Sequence, residues 1–274
     1  EVIDVLKAMR DGKRVVAMLA PAVVGQLPVS INKIAQALVE SGFSEVFEVA
    51  QGADTTARTE AEDFKDRMEK GNEFMTTSCC AAYNELVDKH IPEMKPFRSE
   101  TRTPMHYTAE FVKNKYPDAV TVFIGPCVAK RKEAQKDEYT DLVMNFEEMG
   151  ALFVARGIEV ANCKDYEFAN EASKEGRNFA ITGGVAQSVK VALKDFPELF
   201  PTCVNGLNPK SVRDLKNWAK KGQCPEGNLV EIMACEGGCV AGSACLNNKR
   251  ITTKKVSEYA NSSKCINDLD RKSV

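Results

Sequence analysis

Three short apolar segments of this chain each run into a small-residue loop, and each loop carries cysteine. "EFMTTS" leads into Cys79 and Cys80, "AVTVFIG" (119–125) into Cys127, and "LVEIMA" (229–234) into Cys235. Other apolar runs, "RVVAMLA" (14–20), "EVFEVA" (45–50) and "FAITGG" (179–184), read as strands too. Helical patterns lie between them: "SINKIAQALVESG" (30–42), ended by Gly42, and "TTARTEAEDFKDRMEKG". Strands alternating with helices predict an α/β fold of two lobes, with mainly parallel sheets flanked by helices. In such sheets the carboxyl ends of the strands line the ligand crevice. The three thiol-bearing loops are therefore expected to converge in a cleft between a lobe of about residues 1–115 and another of about 116–250. Residues 251–274 read as a polar-faced terminal helix outside the chemistry.

At 274 residues and 43% hydrophobic, the chain is long enough to bury a substantial core. A net charge of −2 without a long basic run argues against nucleic acid as partner. No apolar stretch nears the roughly 20 residues that span a membrane. The start, "EVIDVLKAMRDGKR", has no signal-peptide pattern, and without an initiator Met it reads as a fragment cut from a longer, cytoplasmic protein. Ten cysteines are many for such a chain, and they crowd into short motifs instead of spreading as a disulfide framework. With only His90 and His106 available, a His-rich metal site is excluded, and any metal must be held by sulfur.

The stretch "TTSCC" sets Cys79 beside Cys80. Adjacent side chains on an extended backbone point to opposite sides, so the two thiols are expected to have separate jobs. "ACEGGC" spaces Cys235 and Cys239 as C-x₃-C, with Gly237 and Gly238 letting the backbone wrap around a bulky group. Zinc ribbons use tighter pairs in duplicate. One thiolate from each of two loops and two from a third suit a cubane iron–sulfur cluster. The plainer alternative is that the thiols are small buried hydrophobes, the expected state of the isolated Cys163, Cys203 and Cys265.

Three longer motifs carry a resemblance. "TSCCAAY" (77–83), "GPCVAKRKE" (125–133) and "EIMACEGGCVAG" (231–242) resemble, in order, the signature motifs of the [FeFe]-hydrogenase (iron-only hydrogenase) H-cluster catalytic domain. "LAPAV" (19–23), "GADTT" (52–56), "RTPMH" (102–106) and "FAITGGV" (179–185) resemble further family segments, so the likeness covers nearly the whole chain. It implies that Cys80, Cys127, Cys235 and Cys239 ligate the [4Fe–4S] part of an H-cluster. Cys239 would bridge to a diiron subcluster carrying CO, cyanide and a bridging azadithiolate, and Cys79 would exchange a proton with its amine. Lys130 and backbone N–H groups around Ala20 and Pro21 would hold the cyanides, while Met233 and Phe179 pack around the diiron ligands. Glu60, Asp63 and Arg67 share one face of a predicted helix. That stripe reads either as solvated surface or, by the resemblance, as part of a relay running Cys79, Glu60, Ser99, Asp63.

The chain also departs from the family pattern. Ala81 and Tyr83 replace Pro and Trp, Ala22 stands for Ser, Gly125 for Met, and "SACLNN" adds Cys245 near the site. These changes resemble the sensory branches of the family, which implies reversible oxidation of dihydrogen with low turnover. The ferredoxin-like N-terminal region has no counterpart, since no C-x₂-C-x₂-C run exists. Electrons are then expected from a ferredoxin-like carrier or an N-terminal iron–sulfur domain, and the diiron unit from maturation proteins. A cluster scaffold without hydrogenase activity is the alternative, and a zinc- or thiol-stabilised binding module the plainest one.

Overall fold

The computed structural model describes residues 1–194, 196 and 198–269. Among them seven strands form two sheets: β1 (Val15–Leu19), β2 (Glu45–Glu48), β3 (Met75–Thr76), β4 (Val120–Gly125), β5 (Leu142–Asn145), β6 (Pro201–Asn205) and β7 (Leu229–Met233). One sheet has the order β2-β1-β4-β5 and the other β3-β7-β6, with every pairing parallel. β1 and β7, buried at all their positions, each have hydrogen-bonded neighbours on both edges. That is the arrangement a strand covered on both faces requires. The helices are α1 (Val2–Arg10), α2 (Ile31–Glu40), α3 (Val49–Glu69), α4 (Ala81–His90), α5 (Pro104–Lys115), α6 (Lys130–Ala134), α7 (Phe146–Ala155), α8 (Lys174–Asn178), α9 (Gly184–Leu193), α10 (Pro209–Lys221) and α11 (Lys249–Asn261). Ser30 caps α2 by accepting from the Lys33 amide at 3.2 Å.

The α/β reading holds, but the division of the chain at about residue 115 does not. β3 leaves the first half to join β7, while β4 returns to pair with β1 and β5 adds to β4. Each sheet is therefore assembled from distant segments, because a parallel neighbour must arrive by a crossover and not by a hairpin. The "FAITGG" segment is a turn, not a strand: Ile181 donates to Asn178 O at 3.0 Å and Gly184 to Ile181 O at 2.9 Å, which opens α9. Strands β5 and β6 escaped the sequence reading, and α3 begins directly out of β2, ahead of its predicted start. The predicted terminal helix ends at Asn261, and residues 270–274 lie outside the described residues. Its face is not merely polar, since Tyr259 donates to buried Glu48 and the Arg177 guanidinium stacks 4.1 Å from the Tyr259 ring centroid.

The element that joins the two sheets is α3. Val49 lies in the core of the first sheet, Ala53 and Ala57 pack with Met233, and Ala61 and Phe64 pack with Met75 and Leu229 of the second. Small residues on this helix allow α5, α8 and α9 to approach closely. The tightest point is Gly52, where a Cβ would lie 2.3 Å from Pro104 O and 2.4 Å from Thr108 Oγ1. Backbone and a hydroxyl committed to Pro104 O cannot yield cheaply. Gly52→Ala is expected to destabilise the fold by about 2–3 kcal/mol through overpacking. Gly150→Ala, where a Cβ meets nothing, should be neutral or slightly stabilising. Urea unfolding of both variants checks the difference.

Candidate functional site

Three strand ends deliver the thiols. β3 and β7 of one sheet and β4 of the other all end toward the same region, and the chain then turns through Cys79–Cys80, Cys127 and Cys235–Cys239. Cys80 is the N-cap of α4, and Cys239 opens a 3₁₀ turn (Cys239–Ala241). Gly237 and Gly238 adopt φ of +108° and +89°, the left-handed region that lets the loop fold back under its own cysteines. The four thiols Cys80, Cys127, Cys235 and Cys239 lie near enough to act on one another electrostatically. Burial first, then the neighbouring Cys127 and Cys80, pushes the Cys235 thiol up to about 11. The same causes drive Cys239 higher, against the opposing charge of Lys130. All ten cysteines are unpaired. Among the described residues no three His, Cys, Asp or Glu side chains converge closely enough for a single metal ion. A polynuclear cluster asks for a wider cage, with one thiolate for each of several irons.

Beside the thiols is a cavity with about 590 Å³ of empty volume, its mouth included. Cys79, Cys80, Cys127 and Cys239 form part of its wall, and Cys235 lies outside it. The predicted Ala20, Pro21, Met233, Phe179 and Lys130 all line it. So do residues the sequence reading did not single out: Val49, Ala53, Pro104, Met105, Phe123 and Ala180. Ala53, Pro104, Met105 and Ala180 belong to segments that resemble the family's, while nothing in the local pattern of Val49 and Phe123 separates them from ordinary core. The two adjacent cysteines do part company: Cys79 faces α3 and Glu60, while Cys80 joins the other three thiols.

Lys130 is mostly withdrawn from solvent, its side chain 12% exposed. Burial works against its ammonium, but Glu133, bonded at 2.9 and 2.8 Å, outweighs that and holds the group above the ordinary lysine range. Thr103 donates to the same carboxylate. Of the backbone donors expected around Ala20 and Pro21, neither residue's own amide is available: the Ala20 N–H is spent on Ile124 O at 2.9 Å, and Pro21 has none. Ala22, within the 3₁₀ turn that opens at Pro21, is the nearest position whose N–H lacks an intrahelical partner.

The relay residues come together in part. Ser99 donates to Asp63 Oδ2 at 2.8 Å, and Arg67 donates to Asp63 Oδ1 at 2.7 Å, so the predicted helix face is not a solvated stripe. Glu60 is fully buried and accepts from the Ser78 amide at 3.0 Å through Oε1, while Oε2 has no protein partner. Burial, with the charges of Asp63 and Glu231, raises its carboxyl to about 8, and the bond from the Ser78 amide opposes the rise. Burial and then Glu60 hold the Cys79 thiol well above its usual range. Cys79 is thus a neutral thiol, suited to giving and taking a proton and not to nucleophilic attack. Ser99 also faces a polar chamber on the far side, shared with Asn84, Thr101 and Glu133.

A family model described as the iron-only hydrogenase large subunit, C-terminal domain, matches residues 13–243. The chain belongs to that family. It is 28% identical to iron hydrogenase 1 of Clostridium pasteurianum over 84% of this chain and 50% of the relative. It is 26% identical to the periplasmic [Fe] hydrogenase large subunit of Nitratidesulfovibrio vulgaris over 87% of this chain and 70% of that one. The chain thus spans half to about two thirds of the length of these relatives. In fold it is similar to a variant of [FeFe]-hydrogenase HydA1 from Chlamydomonas reinhardtii, with TM-score 0.76, 22% identity and coverage of 97% and 90% of the two chains. It is also similar to a structure of HydA concerned with stepwise H-cluster assembly, with TM-score 0.70, 22% identity and coverage of 93% and 88%.

Within this hydrogenase domain the sequence reading took Glu231 only as a letter of its motif. It is fully buried on β7 and accepts from the Gly183 and Ala186 amides at 2.8 Å each, tying the sheet to the head of α9. A lone acid inside the apolar "LVEIM" was the signal for it. The isolated cysteines divide: Cys163 is buried, Cys265 half-buried, and Cys203 exposed, because it sits on the edge strand β6.

Glu60 makes a pH prediction. Its folded pKa of about 8 lies above the ordinary 4.5, so the native state holds a proton that the unfolded chain releases in between. Stability from this group is present below about 4.5 and is lost as pH rises through 8. Glu60→Gln should match the parent near pH 4.5 and exceed it in stability at pH 8, as urea unfolding at the two values will test.

Proposed function

We propose that this domain houses an H-cluster and interconverts dihydrogen with protons and electrons. The observation that carries the reading is the meeting of four thiols, from three strand ends of two sheets, beside an apolar cavity whose wall also carries the Lys130 ammonium and the Cys79 thiol. The residues present fit the group. Cys80, Cys127, Cys235 and Cys239 would hold a [4Fe–4S] cluster, and crowded thiols that burial keeps protonated gain from a cationic iron centre. Lys130 offers a charge-assisted donor to an anionic diiron ligand, and Met233 and Phe179 exclude water from it. When bound, the diiron group supplies the metal centre at which dihydrogen is split or formed.

The chain's own part is to move the proton. Glu60, protonated below about pH 8, takes a proton from Cys79 Sγ–H as it releases its own, through a water, to Ser99 Oγ, which passes its hydroxyl proton on to Asp63 Oδ2. A sensory role with low turnover belongs to the same reading, supported by Ala22 and Gly125 at positions where the family uses side chains with ligand contacts. Electrons would come from a ferredoxin-like carrier or an attached iron–sulfur domain, and the diiron unit from maturation proteins. Ten unpaired thiols favour a reducing compartment such as the cytoplasm.

The test is the infrared spectrum after anaerobic cubane reconstitution and addition of a synthetic diiron dithiolate complex. CO and cyanide bands that shift under hydrogen are expected. A cubane that forms without retaining the diiron complex would replace this reading with that of a cluster scaffold. Cys79→Ser should keep the bands and slow hydrogen turnover by about 100-fold or more, the scale of a lost proton donor. Cys80→Ser should lose the cubane itself.

A further inference from the structure

Gly125 ends β4 next to Pro126 and two residues beyond Phe123, both of which line the cavity. A Cβ built there would lie 2.5 Å from Phe123 Cε1, 2.6 Å from Cζ and 3.3 Å from Ala20 Cβ. Residues two apart on a strand share a face, so the Phe123 ring folds over the glycine. The φ of Gly125 is not in the left-handed region, so the glycine answers a need for space and not for backbone freedom. Phe123 is nearly fully buried and lines the cavity.

The same ring faces Lys130, whose Nζ is 5.9 Å from its centroid. An ammonium has three N–H donors, and the two Glu133 oxygens take two of them. Among the described residues no other acceptor reaches the third.

We propose that Phe123 is a positioning residue: over Gly125 its ring closes the cavity wall and keeps water from the Lys130 ammonium, reserving the third N–H for an anionic ligand in the cavity. The identity of that ligand as cyanide rests on the H-cluster reading, whereas the packing of ring on glycine does not. A leucine at 123 lacks the Cε1 and Cζ atoms that contest the space, so the two positions must act as a pair.

Two arms test this. In thermal unfolding of the 274-residue chain, Gly125→Ala should lower the midpoint by about 5 °C, and by less than half of that in a Phe123→Leu background. Equal losses in both backgrounds would overturn the pairing. In protein loaded with the diiron complex, Phe123→Leu should shift the cyanide bands. Ile124→Val, on the opposite face of the same strand and equally buried, should leave them in place. Unmoved cyanide bands in Phe123→Leu would overturn the role toward Lys130. A parent chain with no cyanide bands would overturn the H-cluster reading and the Lys130 role together, with the unfolding arm still deciding the pairing.

Discussion

Two parallel sheets can aim their carboxyl ends at one cavity only if a rigid element holds them in register, and α3 is that element. It leaves β2 without a loop and spans 21 residues. Along the way it contributes Val49 to the first core and Phe64 to the second. Its approach to α5 is set by the absence of a side chain at Gly52. Glu60 lies on the same helix and accepts from the Ser78 amide of the Cys79 loop, so the element that fixes the fold also places the buried carboxyl of the proposed proton relay.

Desolvation governs the rest of the site. It raises the thiols of Cys79, Cys235 and Cys239 and the carboxyls of Glu60 and Glu231, keeping acids neutral where water cannot reach them. Lys130 escapes the same effect chiefly because Glu133 is bonded to it. One buried cation among protonated thiols is a site that favours an anionic ligand on a bound metal centre.

Much of this was legible along the chain. Apolar runs of the β1 and β7 kind, helix signals such as Ser30 and Gly42, and the cysteine motifs all carry local information. The misreadings share a cause. "FAITGG" is as apolar as a strand, but its hydrogen bonds close locally, and periodicity does not report where a bond goes. β5 and β6 are short edge strands with weak patterns, stabilised by the neighbour they meet. Asp63 and Arg67 look like a solvated stripe until Ser99 arrives from another segment.

The sequence by itself determined the chemistry: which residues carry sulfur, that three strand ends deliver it, and that adjacent Cys79 and Cys80 must serve different sides. Only the tertiary structure decided the neighbours. It interleaved the two sheets instead of splitting the chain near residue 115, buried Lys130 against Glu133, spent the Ala20 amide on Ile124, and laid the Phe123 ring over Gly125. The sheet order and the Ala20–Ile124 bond join segments far apart in the chain, and parallel pairing by crossover leaves no local trace of which segment will be next to which. Lys130 with Glu133 and Phe123 with Gly125 are near neighbours in sequence, and what the sequence does not show is the burial around them.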